Sequence, residues 1–266
     1  MSSTIITLLT DFGYKDHYVG VMKGVILGIN PQIKIVDISH NISPHNILEG
    51  AITLSNAFSY FPKGTIHVAV VDPGVGSKRK PIVVSGEKYI FVGPDNGIFG
   101  LVYNQLKEFK VYELTNPRLF LNPVSVTFHG RDIFAPAAAY LSKGLSPREV
   151  GEEINEYQKV SIPVPHIGEK IIRGNIIYFD FFGNAVTNIN RSHLNIIGKK
   201  EFLKVKIGEK VIPKIFHHYQ EVEKGKPLAL IGSSELLEIS VREGNASKLL
   251  DLKEGDEVIV LILDNG

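Results

Sequence analysis

Asp72, Arg79 and His129 are the residues of this chain whose types and spacing could do chemistry together. Asp72 opens Asp72-Pro73-Gly74-Val75-Gly76 directly after the apolar Val70-Val71, Arg79 follows shortly, and His129 lies in Phe128-His129-Gly130-Arg131-Asp132. An acid, a fixed cation and an imidazole near loops that follow apolar runs can hold and polarise one water molecule. Each has a plainer reading. The Asp72 stretch is by default a simple turn; the cation at Arg79, which could hold the carboxylate ionised, raises it above that. It resembles a phosphate loop only loosely, since G-x-x-x-x-G-K-[ST] is absent. His129 alone reads as a structural hydrogen-bonding residue.

Other polar groups sit where ligands bind. Asp11, in Leu8-Leu9-Thr10-Asp11-Phe12-Gly13, follows an apolar strand. It could accept two hydrogen bonds from a ribose diol, or simply cap a helix or an Asx turn. Asp180-Phe181-Phe182-Gly183-Asn184-Ala185-Val186-Thr187-Asn188 offers a carboxylate for an ammonium, an aromatic for a flat base and an amide for base edges. Alone it could equally be a β-turn with Gly and Asn in left-handed positions. Ser233, Glu238 and Gly244-Asn245-Ala246 add polar groups at strand edges. The histidines show no H-E-x-x-H spacing, so no metal site is expected, and no cofactor is called for.

The elements that must position these groups change character along the chain. Thr4–Thr10, Ile33–Ile38 and Thr65–Val71 read as strands, alternating with helices over Asp16–Ile29 and Asn46–Tyr60. Ile82–Ser85 and Tyr89–Val92 read as a hairpin, and 96–103 and 131–143 as further helices. This alternation predicts an α/β domain over residues 1–160, with a mostly parallel central sheet covered on both faces. Such sheets bind ligands at the carboxyl ends of their strands, which puts Asp11 and Asp72 on one rim. Ser161-Ile162-Pro163-Val164-Pro165-His166 reads as a linker. Beyond it the short runs 171–179, 202–207, 228–231, 236–241 and 257–263 predict a smaller all-β barrel domain over residues 168–266.

The bulk numbers narrow the class. At 266 residues and 44% hydrophobic, the chain can bury a substantial core in one large or two smaller domains. A net charge of +1 gives no reason to expect nucleic acid or an anionic membrane surface as partner. The absence of cysteine excludes disulfides, thiolate metal sites and thiol catalysis. The start carries no basic n-region, and the apolar run after it is short, so a cytoplasmic protein is expected.

Together the motifs T-D-F-G, I-S-P-H-N-I-L-E-G-A, V-D-P-G-V-G, F-H-G-R-D, D-F-F-G-N-A-V-T-N-I and the late G-N-A, in this order over nearly the whole chain, resemble the S-adenosylmethionine hydroxide adenosyltransferases. These are adenosine-forming S-adenosylmethionine hydrolases, related to fluorinases and chlorinases. The resemblance implies hydrolysis of S-adenosylmethionine to adenosine and L-methionine by water or hydroxide attack at C5′. It also implies a homotrimer with sites at subunit interfaces, between the N-terminal domain of one subunit and the C-terminal domain of the next. By similarity, Asp72, Arg79 and His129 would hold the water and Asp11 the ribose hydroxyls. Asp180 and Ser233 would meet the amino-acid end, Phe182 would stack near the adenine, Asn184 and the backbone at Ala246 would bind its edges, and Glu238 would contact the nucleoside. Asp16 and His45 line the same region in relatives. Where fluorinase-like relatives carry Tyr, Tyr-Ser and Trp, this chain has Asp72, His129-Gly130 and His45, and a carboxylate repels a halide. The alternatives are a halogenase of the same fold and a non-catalytic adenosine or S-adenosylmethionine binding protein.

Overall fold

The computed structural model describes residues 4–197 and 203–262. The chain divides into two compact units, Met1–Ser161 and Ile162–Gly266.

The first unit is built on a seven-stranded sheet. Its elements are β1 (Ile5–Thr10), α1 (Tyr18–Ile29), β2 (Lys34–Ser39), α2 (Ile47–Ala57), β3 (Ile66–Val70), β4 (Pro81–Gly86), β5 (Ile90–Pro94), α3 (Gly100–Tyr103), β6 (Phe109–Glu113), α4 (Ala135–Ser142) and β7 (Glu153–Ile154). The strand order is β2-β1-β3-β5-β4-β6-β7. β1, β2, β3, β5 and β6 share one direction, and only β4 and β7 oppose them. Two apolar layers cover the sheet. Ile6, Leu8, Val68 and Val70 face a core shared with Met22 and Ile26 of α1 and Ala137–Ala139 of α4. Leu9, Ala69 and Val71 face the other way, toward Leu54 of α2 and Val102 of α3. This is strand alternation with helices on both faces.

The differences from expectation lie in the connections. The spacing predicts a helix over 96–103, but only the last turn forms. Gly97 takes φ +99°, and a Cβ on Gly100 would sit 2.2 Å from the carbonyl oxygen of Val160, so this segment turns tightly under the chain beyond it. The helix expected over 131–143 starts as a π-helical turn, Gly130–Phe134, in which the Ala135 N–H bonds to the Gly130 carbonyl. Pro136 in the first turn of α4 has no N–H to continue an α ladder backward. β6 and β7, short and irregularly patterned, went unseen.

The second unit is a rolled sheet: β8 (His166–Ile167), β9 (Ile171–Phe179), β10 (Ala185–Asn190), β11 (Leu203–Ile207), β12 (Lys210–Ile212), β13 (Ile215–Phe216), β14 (Pro227–Ile231), β15 (Leu236–Val241) and β16 (Glu257–Ile262). The order is β12-β11-β16-β9-β10-β15-β14-β13, with β8 added to β9. The two ends of this path approach each other, β11 near β13 and β12 near β14, so the sheet is nearly a barrel around Ile172, Ile189, Val205, Leu228, Ile239 and Val260. Two short helices, α5 (Arg191–Ile197) and α6 (Ala246–Leu250), accompany it. Phe202 and Leu263, expected as strand residues, lie outside the described residues. The 180–188 stretch, open between ligand groups and a β-turn, makes a turn at Asp180–Gly183 and then β10. Its polar Thr187 and Asn188 are buried by structural bonds: Thr187 Oγ1 to the Leu237 carbonyl at 2.9 Å, and Asn188 Nδ2 to the Pro163 carbonyl at 2.8 Å.

Candidate active site

β1 and β3 run parallel with Thr10 opposite Val70. The chain leaves β1 toward β2 on one side and returns to β3 on the other, so the crevice at their carboxyl ends is a topological switch point. Asp11 and Asp72 stand there, each just past its strand. The Asn96 side-chain amide donates to the Val71 carbonyl at 2.8 Å, fixing the backbone ahead of Asp72.

The trio meets as an ion pair with an attached imidazole. Arg79 Nε donates to both carboxylate oxygens of Asp72 at 3.0 Å, and Nη2 donates to Oδ2 at 2.5 Å. Both side chains are nearly closed off, 8% and 5% exposed, so solvent screens this pair little. The same Nη2 lies 2.7 Å from His129 Nδ1. A guanidinium only donates, so Nδ1 must be the bare nitrogen and the proton of the neutral ring sits on Nε2. Burial and then the Arg79 charge hold His129 below the ordinary imidazole pKa, against the opposing pull of Asp72 and Asp132. The imidazole is therefore neutral at neutral pH and turned to donate.

Two loops carry these groups and dock on each other. Gly76 has φ +77°, and a Cβ there would lie 2.4 Å from the Val126 carbonyl oxygen, so the motif needs glycine for both conformation and approach. The second loop is tied to the π-turn by Asp132, buried, whose Oδ2 accepts the Ser125 N–H at 2.8 Å and whose carbonyl accepts the Leu121 N–H at 2.9 Å. A π-turn beside a catalytic candidate is a recurrent pairing.

A pocket of about 360 Å³ opens in front of Asp72 and His129. Phe12, Tyr18 and Phe128 wall it, packed on one another with ring centroids 5.1–5.8 Å apart. Arg79 stands behind the two rather than in the wall. Asp11 Oδ2 accepts the backbone N–H of His45 at 2.9 Å, where His45 takes φ +69°, leaving Oδ1 for a ligand. Asp16 lies in the exposed bend before α1.

The second unit places two of its named residues, Phe182 and Asn184, in the wall of another pocket, of about 490 Å³. Phe182, Asn184, Tyr219, Val241, Gly244 and Asn245 line it. Asp180 accepts both the backbone N–H and the side-chain amide of Asn184, at 2.8 and 2.9 Å. That uses one of the two side-chain amide N–H donors and leaves the Asn184 oxygen, with the second N–H, to meet the edge of a base. Gly183, at φ +81°, lies against Asn245, which caps the helix starting at Ala246. Glu238 is buried, and its Oε1 accepts from Tyr219 Oη at 2.7 Å and Ser240 Oγ at 2.6 Å. Burial, and then the Glu238 carboxylate, push the Tyr219 hydroxyl pKa up. Ser233 stands apart, exposed at the tip of the β14–β15 turn.

The residues that sequence reasoning missed are the aromatic wall and Tyr219. Phe12 and Phe128 adjoin predicted site residues, so adjacency was a usable signal; Tyr219 sits in a short 3₁₀ turn with none. Among the described residues no group of three or more His, Asp or Glu is placed to hold a metal ion.

Fold and site together define a two-unit α/β-plus-barrel protein with an Asp-Arg-His centre on the rim of a mostly parallel sheet. The model of the SAM hydroxide adenosyltransferase N-terminal domain matches residues 6–151, and that of the C-terminal domain matches residues 174–259. The chain belongs to this family. It is 39% identical over 269 residues to a Methanocaldococcus jannaschii protein named (R)-S-adenosyl-L-methionine hydrolase, covering 97% of this chain and 95% of that one. A crystal structure of an uncharacterized conserved protein from Thermotoga maritima superposes with a TM-score of 0.89 at 38% identity, over 96% and 99% of the two chains. An Actinopolyspora mzabensis fluorinase is more distant, 25% identical over 294 residues and 97% of each chain.

Proposed function

We propose that this chain hydrolyses S-adenosyl-L-methionine at C5′, giving adenosine and L-methionine, with the (R)-sulfonium epimer named in its relatives as substrate. The observation that carries the reading is the Asp72–Arg79–His129 geometry at the pocket. The leaving group is neutral methionine, so departure needs no acid. One water must be stripped of other partners and aligned with C5′ and sulfur, and such alignment can contribute about 7 kcal/mol or more.

The tautomer divides the labour. His129 Nε2–H donates to the water oxygen. It cannot serve as base while Nδ1 accepts from Arg79, so the acceptor for the water proton is Asp72. Arg79 fixes the carboxylate and leaves it lone pairs to spare. The C5′–O bond forms as C5′–S breaks, the pair goes to sulfur, and the proton passes through Asp72 to solvent. The aromatic wall supplies an apolar surround.

Asp11 binds the ribose hydroxyls. Phe182 stacks on the adenine, Asn184 and the Ala246 backbone meet its edges, Glu238 faces the nucleoside, and Asp180 and Ser233 take the amino-acid end. Residues 1–160 and 168–266 act as the two domains of a cytoplasmic homotrimer with its sites at subunit interfaces. Among the described residues no helix is long and apolar enough to cross a membrane.

The test is to incubate the protein with S-adenosylmethionine in ¹⁸O-labelled water, with and without chloride or fluoride. Adenosine carrying ¹⁸O at its 5′ oxygen, independent of halide, is the expected product. A 5′-halo-adenosine, or tight binding without turnover, overturns the reading. kcat/KM should stay level as pH falls to the ordinary imidazole value, and drop only below it.

A further inference from the structure

Asp11 stands on a stretch that the sheet does not hold. The β1–β2 pairing runs in register to Leu8–Asp37 and then shifts, with Leu9 opposite Ser39. Thr10 still pairs with Val70 of β3, but past it the backbone from Asp11 to Gly13 has left the sheet and needs another anchor, and shifts of this kind commonly re-aim side chains beside active sites.

The anchor is a buried polar chain running inward from the loop. Thr10 Oγ1 accepts the Phe12 N–H at 3.2 Å and lies 2.7 Å from His40 Nδ1. The His40 carbonyl accepts the Gly13 N–H at 2.7 Å. His40 Nε2 lies 3.1 Å from Asp37 Oδ1, close to the carboxylate though poorly aligned for a hydrogen bond. Asp37 Oδ2 accepts from Lys23 Nζ of α1 at 2.6 Å and from Tyr14 Oη at 3.2 Å, and the Tyr14 ring meets the imidazole edge-on. Thr10 and His40 are fully buried. A carboxylate only accepts, so the neutral imidazole carries its proton on Nε2 and takes the Thr10 O–H at Nδ1. The chain ends at the N–H groups of Phe12 and Gly13, directly after Asp11, which donate to Thr10 Oγ1 and to the His40 carbonyl.

An apolar side chain at position 40 would fill this space at less cost than a desolvated imidazole. What the imidazole adds is direction. We propose that His40, oriented by Asp37 and acting through Thr10, is a positioning residue that aims the Asp11 carboxylate at the ribose diol. The inference rests on the reading above that Asp11 binds that diol.

The test crosses protein variants with ligand hydroxyls. Adenosine and 2′,3′-dideoxyadenosine are titrated calorimetrically into wild type, Asp11→Asn, Thr10→Val, His40→Leu and His40→Asn, with thermal melting to check folding. Wild type should favour adenosine, and Asp11→Asn should remove most of that preference. Thr10→Val and His40→Leu should shrink the preference about tenfold, the share of a charge-assisted hydrogen bond, with dideoxyadenosine affinity kept. His40→Asn, which keeps a polar atom near Nδ1, should recover part of it. Equal weakening of both ligands, or no weakening of either, overturns the positioning role. A wild type that does not distinguish the ligands, or an Asp11→Asn that distinguishes them as wild type does, overturns the Asp11 reading itself. Thr10→Val keeps the volume of the side chain, so it decides the matter if His40→Leu does not fold.

Discussion

The rim of the first unit and the pocket of the second treat their functional side chains in opposite ways. Asp72 and Arg79 are 5% and 8% exposed and held to each other by three hydrogen bonds. Phe182 and its neighbour Phe181 are 71% and 97% exposed. A group that must meet a reacting atom gains by being fixed in advance in a water-poor place, so no reorganisation is spent during reaction. A group that recognises a flat base must keep an open face until the base arrives. The first arrangement makes each member depend on the others, because a buried charge left alone is costly. The second lets the ring be removed with little effect on folding.

The sharpest way to break this comparison is Asp72→Asn. The amide still accepts from Arg79, whereas alanine would strand the guanidinium at a cost of about 3–5 kcal/mol. kcat should fall by about 10²–10⁴-fold, the range for losing a general base, with adenosine affinity by calorimetry nearly unchanged. Equal losses in both would merge the two roles that the comparison separates. Phe182→Ala should do the reverse: KM rises by the equivalent of about 1–3 kcal/mol for a lost stacking surface, with kcat and the melting temperature preserved.

Acid should separate the units as well. His67, buried beside Phe91 with Thr7 on its Nδ1 at 2.7 Å, is pushed down by desolvation to a pKa of about 3. The unfolded chain takes up that proton near pH 6.5 and the folded chain does not. Stability is therefore complete above about pH 6.5 and lost toward pH 3, at about 1.4 kcal/mol per pH unit. Denaturant melts at stepped pH should show the first unit failing ahead of the second, and His67→Phe should flatten the slope. The smallest effect belongs to Ser233→Ala. At an exposed turn tip, one neutral hydrogen bond to substrate is worth about 1 kcal/mol, read as a modest rise in KM alone.

The legible parts of the molecule are those in which local pattern and burial agree. β1, β3, β9 and β15 were read within a residue or so because alternating or continuous apolar runs are bounded by turns. Asp11 and Asp72 were placed on one rim because parallel strands fix where their ends lie. β10 was not legible. The stretch that holds it reads equally as ligand groups or as a β-turn, and the bonds that bury Thr187 and Asn188, to Leu237 and Pro163, come from distant chain. His40 was equally invisible, since its partners Thr10, Asp37 and Lys23 become neighbours only when β1, β2 and α1 pack.

The sequence by itself determined which chemistry was available: an acid, a cation and an imidazole without thiol or metal spacing, in family motifs along nearly the whole chain. It also determined the two kinds of sheet, because hydrophobic period and turn residues are local properties. Only the tertiary structure decided how the groups are used. Arg79 donates to His129 Nδ1, and that one contact makes the imidazole a donor and Asp72 the acceptor. Protonation, orientation and access depend on which atoms come within hydrogen-bond distance across the fold, and residue order does not encode those distances locally.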